Sequence, residues 1–306
     1  MALRKEQREK LAIANSVIDL VGATPLVKLQ RVVDGLKPGV EVWVKVEFMN
    51  PGGSVKDRAG VRLLLDGIER GLLTRDRRVI DATSGNTGVA LAMAGAALGY
   101  GVTLVMPENV TPQRKAIVKA YGADVIFSDP MEGSDGAIRK CDAIVAENPA
   151  RWYRPDQYKN EANPEAHVRT TGPEILAQTD GRVTHFVAGI GTSGTVMGTS
   201  RFLKKEKRGV KCYAAEPEES LHGLEGLKHM ASSIVPAIWH PGELDGVISV
   251  STDAGWDMAE RLHRAEGRPA SHSGGAAVVA ALSIARALDE GLVVTVLPDS
   301  FERYPE

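Results

Sequence analysis

Short apolar runs alternate with longer segments of helical periodicity along most of the chain. The runs predict strands over residues 41–47, 78–82, 102–106, 124–127, 184–188, 210–215, 247–250 and 292–297. Several runs are apolar almost throughout, as is typical of parallel strands that are covered on both faces. Between them the periodicity predicts helices over residues 56–71, 87–99, 112–121, 134–147, 164–178, 194–206, 253–267 and 274–290. This alternation predicts an α/β fold in which each sheet is mostly parallel and flanked by helices.

Composition narrows the classes of protein that need to be considered. The chain has 306 residues, which exceeds the usual size of one domain and favours two domains or one large α/β unit. Its formal net charge of −2 gives no indication of a nucleic-acid or membrane-surface partner. The uncharged stretch over residues 82–107 is interrupted by glycines and polar side chains, so it predicts a buried helix and strand rather than a membrane span.

Cysteine usage and the amino-terminal sequence bear on the compartment. Cys141 and Cys212 lie far apart in the sequence, without the spacing of metal ligands. This pattern argues against a disulfide scaffold and a zinc site, and no metal site is predicted. The opening segment MALRKEQREK is charged and lacks the apolar core of a signal peptide. We therefore expect a protein of the reducing cytoplasm.

Two glycine-rich turns each follow a predicted strand and precede a predicted helix. They are TSGNTG at residues 83–88 and GIGTSGT at residues 189–195. Backbone N–H groups at a helix start lack partners within the helix, and the helix dipole is positive there. Both turns can therefore bind anions, and their hydroxyl side chains add donors. One protein with two such turns could hold a cofactor phosphate and a substrate carboxylate.

The second turn allows another interpretation. Gly189, Gly191 and Gly194 match the pattern G-x-G-x-x-G, and Glu216 ends the next predicted strand at about the distance that a dinucleotide fingerprint requires. An NAD-binding oxidoreductase is therefore one alternative. Close packing of a helix on the sheet is another, although packing alone does not require the threonines and the serine in this turn.

Two further segments carry candidate chemistry. NPGGSVKDR, at residues 50–58, places Lys56 after a Pro-Gly-Gly turn at a predicted helix start, but it does not fit the phosphate-binding P-loop pattern. A surface role for Lys56 is unattractive because a cation at a helix start opposes the helix dipole. SHSGGAA, at residues 271–277, also leads into a helix. Taken alone, Ser273 there is no more than a helix N-cap.

Taken together, these segments resemble the β-family (fold type II) of pyridoxal-phosphate (PLP) enzymes. The resemblance is strongest to cysteine synthase (O-acetylserine sulfhydrylase) of the B-type. It covers nearly the whole chain in the same order, through GATPLVKL, NPGGSVKDR, TSGNTG, DQYKNEANPEAH, TTGPEI, THFVAGIGTSGTVMG, SHSGGAA and ERY. The combination of SVKDR, TSGNTG and GTSGT is much more specific than G-x-G-x-x-G alone.

The resemblance assigns roles to individual residues. Lys56 matches the lysine that forms the Schiff base with PLP, Asn86 the residue bonded to the ring oxygen O3′, and Ser273 the residue facing the pyridine nitrogen. The phosphate-binding positions are Gly191, Thr192, Ser193, Gly194 and Thr195. The substrate-carboxylate positions are Thr83, Ser84, Thr87 and Gln157. Lys228 falls where some B-type enzymes have an arginine that binds the phosphate of O-phosphoserine, and a lysine there lacks the bidentate fork.

The resemblance also implies an activity and an architecture. The activity is PLP-dependent β-replacement, which makes L-cysteine from O-acetylserine or O-phosphoserine and a sulfur donor through an α-aminoacrylate intermediate, with Lys56 as general base. A reaction of the cystathionine β-synthase type is an alternative. The expected assembly is a homodimer. The expected domains are a large PLP-binding domain (1–47 plus 161–306) and a smaller movable domain (48–160) with Lys56 and the substrate-carboxylate loop.

Overall fold

Two sheets and nine α-helices make up the part of the chain that the computed structural model describes, residues 14–83 and 85–303. The strands are β1 (Leu26–Lys28), β2 (Gly39–Val46), β3 (Arg78–Ala82), β4 (Val102–Pro107), β5 (Asp124–Ser128), β6 (Trp152–Tyr153), β7 (His185–Gly189), β8 (Lys211–Pro217), β9 (Gly246–Val250) and β10 (Glu290–Leu297). The helices are α1 (Lys56–Glu69), α2 (Asn86–Leu98), α3 (Pro112–Ala120), α4 (Gly133–Glu147), α5 (Ala162–Arg169), α6 (Thr171–Gln178), α7 (Gly194–Glu206), α8 (Thr252–Arg261) and α9 (His272–Arg286).

The larger sheet has six strands in the order β1-β2-β10-β7-β8-β9, and the smaller has four in the order β5-β4-β3-β6. Only β1 and β2 are antiparallel among these paired strands. The prediction of an α/β fold with mostly parallel sheets is therefore confirmed.

Both faces of the larger sheet are covered, which explains its continuous apolar strands. Side chains alternate between faces along a strand. Val187 and Val293 thus belong to a core with apolar residues of α8 and α9. Their neighbours Phe186 and Val294 belong to a second core with residues of α6 and α7. The smaller sheet is built in the same way, with helices on both faces.

All eight predicted strands are present, and two short strands were not predicted. β1 and β6 have three and two residues, too few to show a period. The predicted helix over 164–178 is two helices, α5 and α6, because Thr170 leaves the helical conformation with φ −129° and ψ −69°. Its hydroxyl instead donates to the Ala166 carbonyl at 2.6 Å.

The two sheets occupy different parts of the chain. All strands of the smaller sheet lie within residues 48–160, and all strands of the larger sheet lie outside that range. Movement of one unit relative to the other stays a prediction. Among residues 14–83 and 85–303, no helix has both the length and the apolar character needed to cross a membrane.

Candidate active site

Two adjoining cavities lie between the turns that follow β3 and β7. The larger, of about 320 Å³, is lined by Lys56, Thr83, Asn86, Thr87, Gln157, Gly191, Thr192 and Lys228, among others. The smaller, of about 50 Å³, shares Lys56, Asn86 and Gly191 and adds Thr195, Ser273 and Asp299. Ser193 and Gly194 lie in the same turn as Thr192 and Thr195. The structure therefore brings together every predicted site residue that it describes, whereas Ser84 lies outside the described residues.

Lys56 is the first residue of α1 and lines both cavities. The turn before it is shaped by Gly52, whose N–H donates to Asp57 Oδ2 at 2.6 Å. A side chain at Gly52 would overlap the Asp57 carboxylate. Gly53 has φ +80°, a conformation that favours glycine. The Pro-Gly-Gly sequence is thus required by the turn that delivers Lys56.

Burial lowers the pKa of the Lys56 amine, and the Asp299 carboxylate partly opposes that shift. A lysine with a lowered pKa has more of the neutral amine near neutral pH. Only the neutral amine can act as a nucleophile or accept a proton. Lys56 therefore has the electrostatic setting of a reactive amine.

A buried group of charges fixes the helix that begins with Lys56. Arg58, two residues along α1, donates to both oxygens of Glu47 at 2.7 and 2.8 Å. It also donates to Glu174 Oε1 at 2.6 Å, and Lys45 Nζ lies 2.6 Å from Glu174 Oε2. Arg58, Glu47 and Lys45 are at most 2% exposed. This cluster joins α1 to β2 and α6, and it therefore fixes the position of the first turn of α1.

The turn after β7 is built for close approach of the backbone. A side chain at Gly194 would overlap Asn163 Oδ1, and one at Gly191 would overlap the Gly226 carbonyl. Asn163 also donates from Nδ2 to Thr192 Oγ1 at 3.0 Å. Asn163 of α5 therefore supports this turn, and sequence patterns did not identify it because the contact crosses 29 to 31 residues.

Ser193 gives the strongest indication that this turn binds an anion. It has φ +71°, in the left-handed region that non-glycine residues rarely adopt. Its Oγ is buried and has no hydrogen-bond partner within the described residues. Buried polar atoms in proteins are nearly always bonded. Together with the N–H groups at the start of α7, these features fit a phosphate group.

Thr195 completes this turn and contacts a buried histidine. Its Oγ1 lies 3.3 Å from His167 Nε2, while His167 Nδ1 lies 2.9 Å from Thr171 Oγ1. Burial lowers the pKa of His167 to about 3, so the ring is neutral at neutral pH. His167 thus orients the Thr195 hydroxyl without adding a charge.

We expect substitution of Gly194 by alanine, G194A, to disrupt this turn. The new methyl group would force Asn163 or the backbone to move, which costs about 1–3 kcal/mol in a packed region. PLP titration of the apo protein should show an affinity at least about tenfold lower. G242A is a matched control, because Gly242 has open space and no positive φ. Unchanged PLP affinity in G194A would contradict the phosphate-binding assignment.

The turn after β3, which is predicted to be a second anion-binding turn, is held by side-chain hydrogen bonds. Thr83 Oγ1 accepts from the N–H groups of Gly85 and Gly88, both at 3.2 Å. Thr87 Oγ1 donates to Gln157 Oε1 at 2.6 Å, and Gln157 Nε2 donates to the Ala82 carbonyl at 3.0 Å. Thr83 is therefore bonded to the backbone of the turn, while Thr87 and Gln157 are bonded to each other beside the start of α2.

Ser273 is not the N-cap of its helix. α9 begins at His272, and Ser271 caps it by accepting from the Gly274 N–H at 3.3 Å. Ser273 instead lines the smaller cavity, with its Oγ 3.1 Å from Ser271 Oγ. The His272 ring stacks on the Trp256 ring with centroids 4.5 Å apart, which indicates that His272 has a packing role.

Two ion pairs border the larger cavity, which Arg114, Glu225 and Lys228 line. Lys228 Nζ lies 3.2 Å from Asp135 Oδ1, and Arg114 Nη2 lies 3.0 Å from Glu225 Oε2. In each pair one partner belongs to residues 48–160 and the other to the loop after β8. Sequence patterns indicated Lys228 but neither Asp135 nor the second pair, because these contacts span about 90 to 110 residues along the chain.

Comparison with known proteins decides the family. Residues 17–299 match the family described as pyridoxal-phosphate dependent enzyme. The chain belongs to this family.

Individual members of the family are similar over nearly their whole length. A cysteine synthase from Aquifex aeolicus is 47% identical over 94% of this chain and 90% of its own. Cysteine synthase B from Salmonella typhimurium is 39% identical over 95% and 94%. The crystal structure of a cysteine synthase from Entamoeba histolytica superimposes with a TM-score of 0.92 at 35% identity, covering 99% of this chain and 91% of that one.

Membership of the PLP family identifies the cofactor as PLP and removes the need for a dinucleotide at the turn after β7. The residues present fit PLP, because the cavities combine a reactive amine with a turn whose buried Ser193 hydroxyl lacks a partner within the described residues. Glu216, the acidic residue of the dinucleotide alternative, accepts instead from the Met230 N–H at 3.3 Å.

Proposed function

We propose that this member of the PLP family is a cysteine synthase that replaces the β-substituent of O-acetylserine with sulfur. The observation that carries the proposal is the meeting, in adjoining cavities, of Lys56, a phosphate-binding turn and a second anion cradle. The high identity to cysteine synthases over nearly the whole chain supports it.

We assign the cofactor contacts by position. Lys56 would hold PLP covalently, the turn Gly191–Thr195 would hold its phosphate, and Asn86 and Ser273 would meet its ring. A serine at the pyridine nitrogen is a weaker partner than a carboxylate, so the ring withdraws electrons less strongly. This suits a reaction in which a leaving group on Cβ takes the electron pair.

The second cradle would bind the substrate carboxylate. Thr83, Thr87 and Gln157 lie beside the start of α2, where backbone N–H groups and the helix dipole favour an anion. Ser84 belongs to this set through its place in TSGNTG. Binding there would place the substrate amino group near Lys56, since Lys56 lines the same cavity as Thr83, Thr87 and Gln157.

Held by these residues, PLP would supply an electron sink next to Cα of the substrate. The Lys56 amine, which lines the same cavity, would remove the Cα proton as general base. The Cβ–O bond then breaks and acetate leaves with its electron pair. A thiolate or sulfide forms the new Cβ–S bond, and Lys56 returns the proton to Cα. Closure of residues 48–160 over the cavity would exclude water during these steps.

The acceptor ester is proposed to be O-acetylserine rather than O-phosphoserine. Lys228, the residue placed to bind a substrate phosphate, is already paired with Asp135 and is only 9% exposed. Its Nζ also lies over the Tyr158 ring, 5.4 Å from the centroid. A phosphate would therefore have to compete with a carboxylate for this ammonium group.

We expect D135N to raise kcat/KM for O-phosphoserine by about tenfold, because it frees Lys228 from a competing charge. Activity with O-acetylserine should stay within about threefold. D289N, on an exposed carboxylate, is the control. A parallel loss with both esters would show that Asp135 supports the loop and does not set the choice of ester.

The finer points of assembly and location are also proposals. We propose that residues 48–160 move as a unit relative to the rest of the chain. We further propose a homodimer, which light scattering of the purified protein would test. A cytoplasmic location is consistent with Cys141 and Cys212, which are both free and buried.

The visible absorption spectrum tests the proposed function directly. The purified protein should be yellow, O-acetylserine should shift its band, and sulfide should restore it with release of L-cysteine, identified by mass spectrometry. Use of homocysteine in place of sulfide tests the cystathionine alternative, which predicts faster turnover with homocysteine. A yellow protein whose band responds to no serine ester would refute the proposed reaction while leaving the family unchanged.

A further inference from the structure

Asp299 lies two residues after the end of β10, beside the segments that contain Ser54 and Ser271. It is 1% exposed. Its backbone forms an antiparallel bridge with Ser54, in the turn before Lys56. The Ser271 N–H, at the start of α9, donates to the Asp299 carbonyl at 3.4 Å. Asp299 is therefore anchored to the segments that carry Lys56 and Ser273.

The Asp299 carboxylate also joins two polar side chains of the smaller cavity. Oδ2 accepts from Asn86 Nδ2 at 2.5 Å, and Oδ1 accepts from Ser271 Oγ at 2.5 Å. Ser271 has a single hydroxyl proton, which it gives to Asp299. Its contact with Ser273, at 3.1 Å between oxygens, must then use the Ser273 proton. One carboxylate thus orients Asn86 directly and Ser273 through Ser271.

The direction of the Asn86 amide follows from this contact. A carboxylate only accepts hydrogen bonds, so it selects the nitrogen end of the amide. Asn86 Oδ1 is buried and has no hydrogen-bond partner within the described residues. Oδ1 is therefore available to a bound group. Because Asn86, Ser273 and Asp299 line the same cavity, that group is one bound there.

We propose that Asp299 is a positioning residue, which holds Asn86 and, through Ser271, Ser273 in the orientations that receive the PLP ring. The proposal rests on the cofactor contacts proposed above for these two residues. Asp299 also lies close enough to Lys56 to favour its charged form. One buried carboxylate therefore acts on three groups that meet the cofactor.

The test is PLP titration of the apo protein, with the dissociation constant and the position of the visible band as readouts. D299A should weaken PLP binding by about tenfold to a hundredfold, since a buried charge-assisted hydrogen bond is lost. It should also shift the band, which a purely structural role would not do. S271A should have a smaller effect, because Asn86 stays bonded to Asp299. D289A, on the exposed carboxylate, should leave both readouts unchanged.

A double-mutant cycle of D299A with N86A measures the interaction energy between Asp299 and Asn86 in PLP binding. If Asp299 acts through Asn86, N86A should weaken PLP binding in the wild type but by less than about threefold in the D299A background. Full additivity would overturn the proposal, and so would wild-type affinity and spectrum in D299A. If N86A alone has no effect, the cofactor contact of Asn86 is wrong instead, so the two failures are distinguishable.

D299N serves where D299A does not fold. A carboxamide can still accept from Asn86 through its oxygen and donate to Ser271 through its nitrogen. We therefore expect PLP affinity within about threefold of wild type, with a shifted visible band because the charge is lost. A loss of PLP affinity of about tenfold or more in folded D299N would overturn the proposal, because its carboxamide can still hold Asn86 and Ser271 in place.

Discussion

Substitution of Lys56 by alanine, K56A, should abolish covalent attachment of PLP and reduce turnover by about a thousandfold or more. Lys56 would supply both the nucleophile that holds the cofactor and the general base that removes the Cα proton, and general-base catalysis alone contributes about 10²–10⁴. Borohydride reduction of the wild type followed by peptide mass spectrometry should find the pyridoxyl group on Lys56. Steady-state kinetics with O-acetylserine and sulfide measures the loss.

K28A is the matched control for K56A, because Lys28 is a half-exposed lysine in a surface ion pair with Glu41. It should retain the reducible adduct and full turnover. A pyridoxyl group recovered on any other lysine of the wild type, or a K56A protein with unaltered turnover, would contradict the role of Lys56 and the family resemblance on which it was predicted.

Substitution of Glu47 by glutamine, E47Q, should lower the free energy of unfolding by about 3 kcal/mol, because it removes one of the two carboxylates that balance the buried charge of Arg58, the other being Glu174. Glu47 accepts from four donors on Arg58, Thr24 and Asn50, and the amide nitrogen of a glutamine would face one or more of them. Urea unfolding measures the change. Since Arg58 lies on the helix that begins at Lys56, PLP affinity should fall as well.

K37A is the control for E47Q. Lys37 and Asp289 lie 2.5 Å apart, closer than the 2.7 Å of the buried Arg58–Glu47 pair, but both are exposed. An exposed ion pair contributes about 0–1 kcal/mol, so K37A should have little effect on unfolding. Equal effects of K37A and E47Q would show that burial does not set the strength of these interactions here.

The lowered pKa of Glu47 predicts how the free energy of unfolding depends on pH. Burial would raise the pKa of Glu47, but the Arg58 guanidinium outweighs it and holds the pKa at about 2, below the ordinary 4.5. A carboxylate with a lowered pKa in the folded state stabilises the protein above pH 4.5. That contribution, of about 3 kcal/mol, is lost as the pH falls toward 2. In E47Q this part of the acid dependence should be absent.

Local patterns were sufficient for the main elements of the fold. Eight strands were predicted because each is a short apolar run, several of them apolar almost throughout, and the structure covers both faces of each sheet. Lys56, Asn86 and Ser273 were assigned through the resemblance of short motifs, at the ends of strands and the starts of helices, to those of PLP enzymes. These are local signals, since a turn and the helix start after it are adjacent in sequence.

The interactions that only the tertiary structure decided are those between groups far apart in the chain. Asp299 lies 213 residues from Asn86, Glu174 lies 116 from Arg58, and Asp135 lies 93 from Lys228. No periodicity or spacing can pair such carboxylates with their partners, because the pairing depends on how the sheets place distant turns together. The sequence by itself determined which turns are predicted to carry the chemistry. The packing of those turns decided which charges surround Lys56 and which polar side chains line the two cavities.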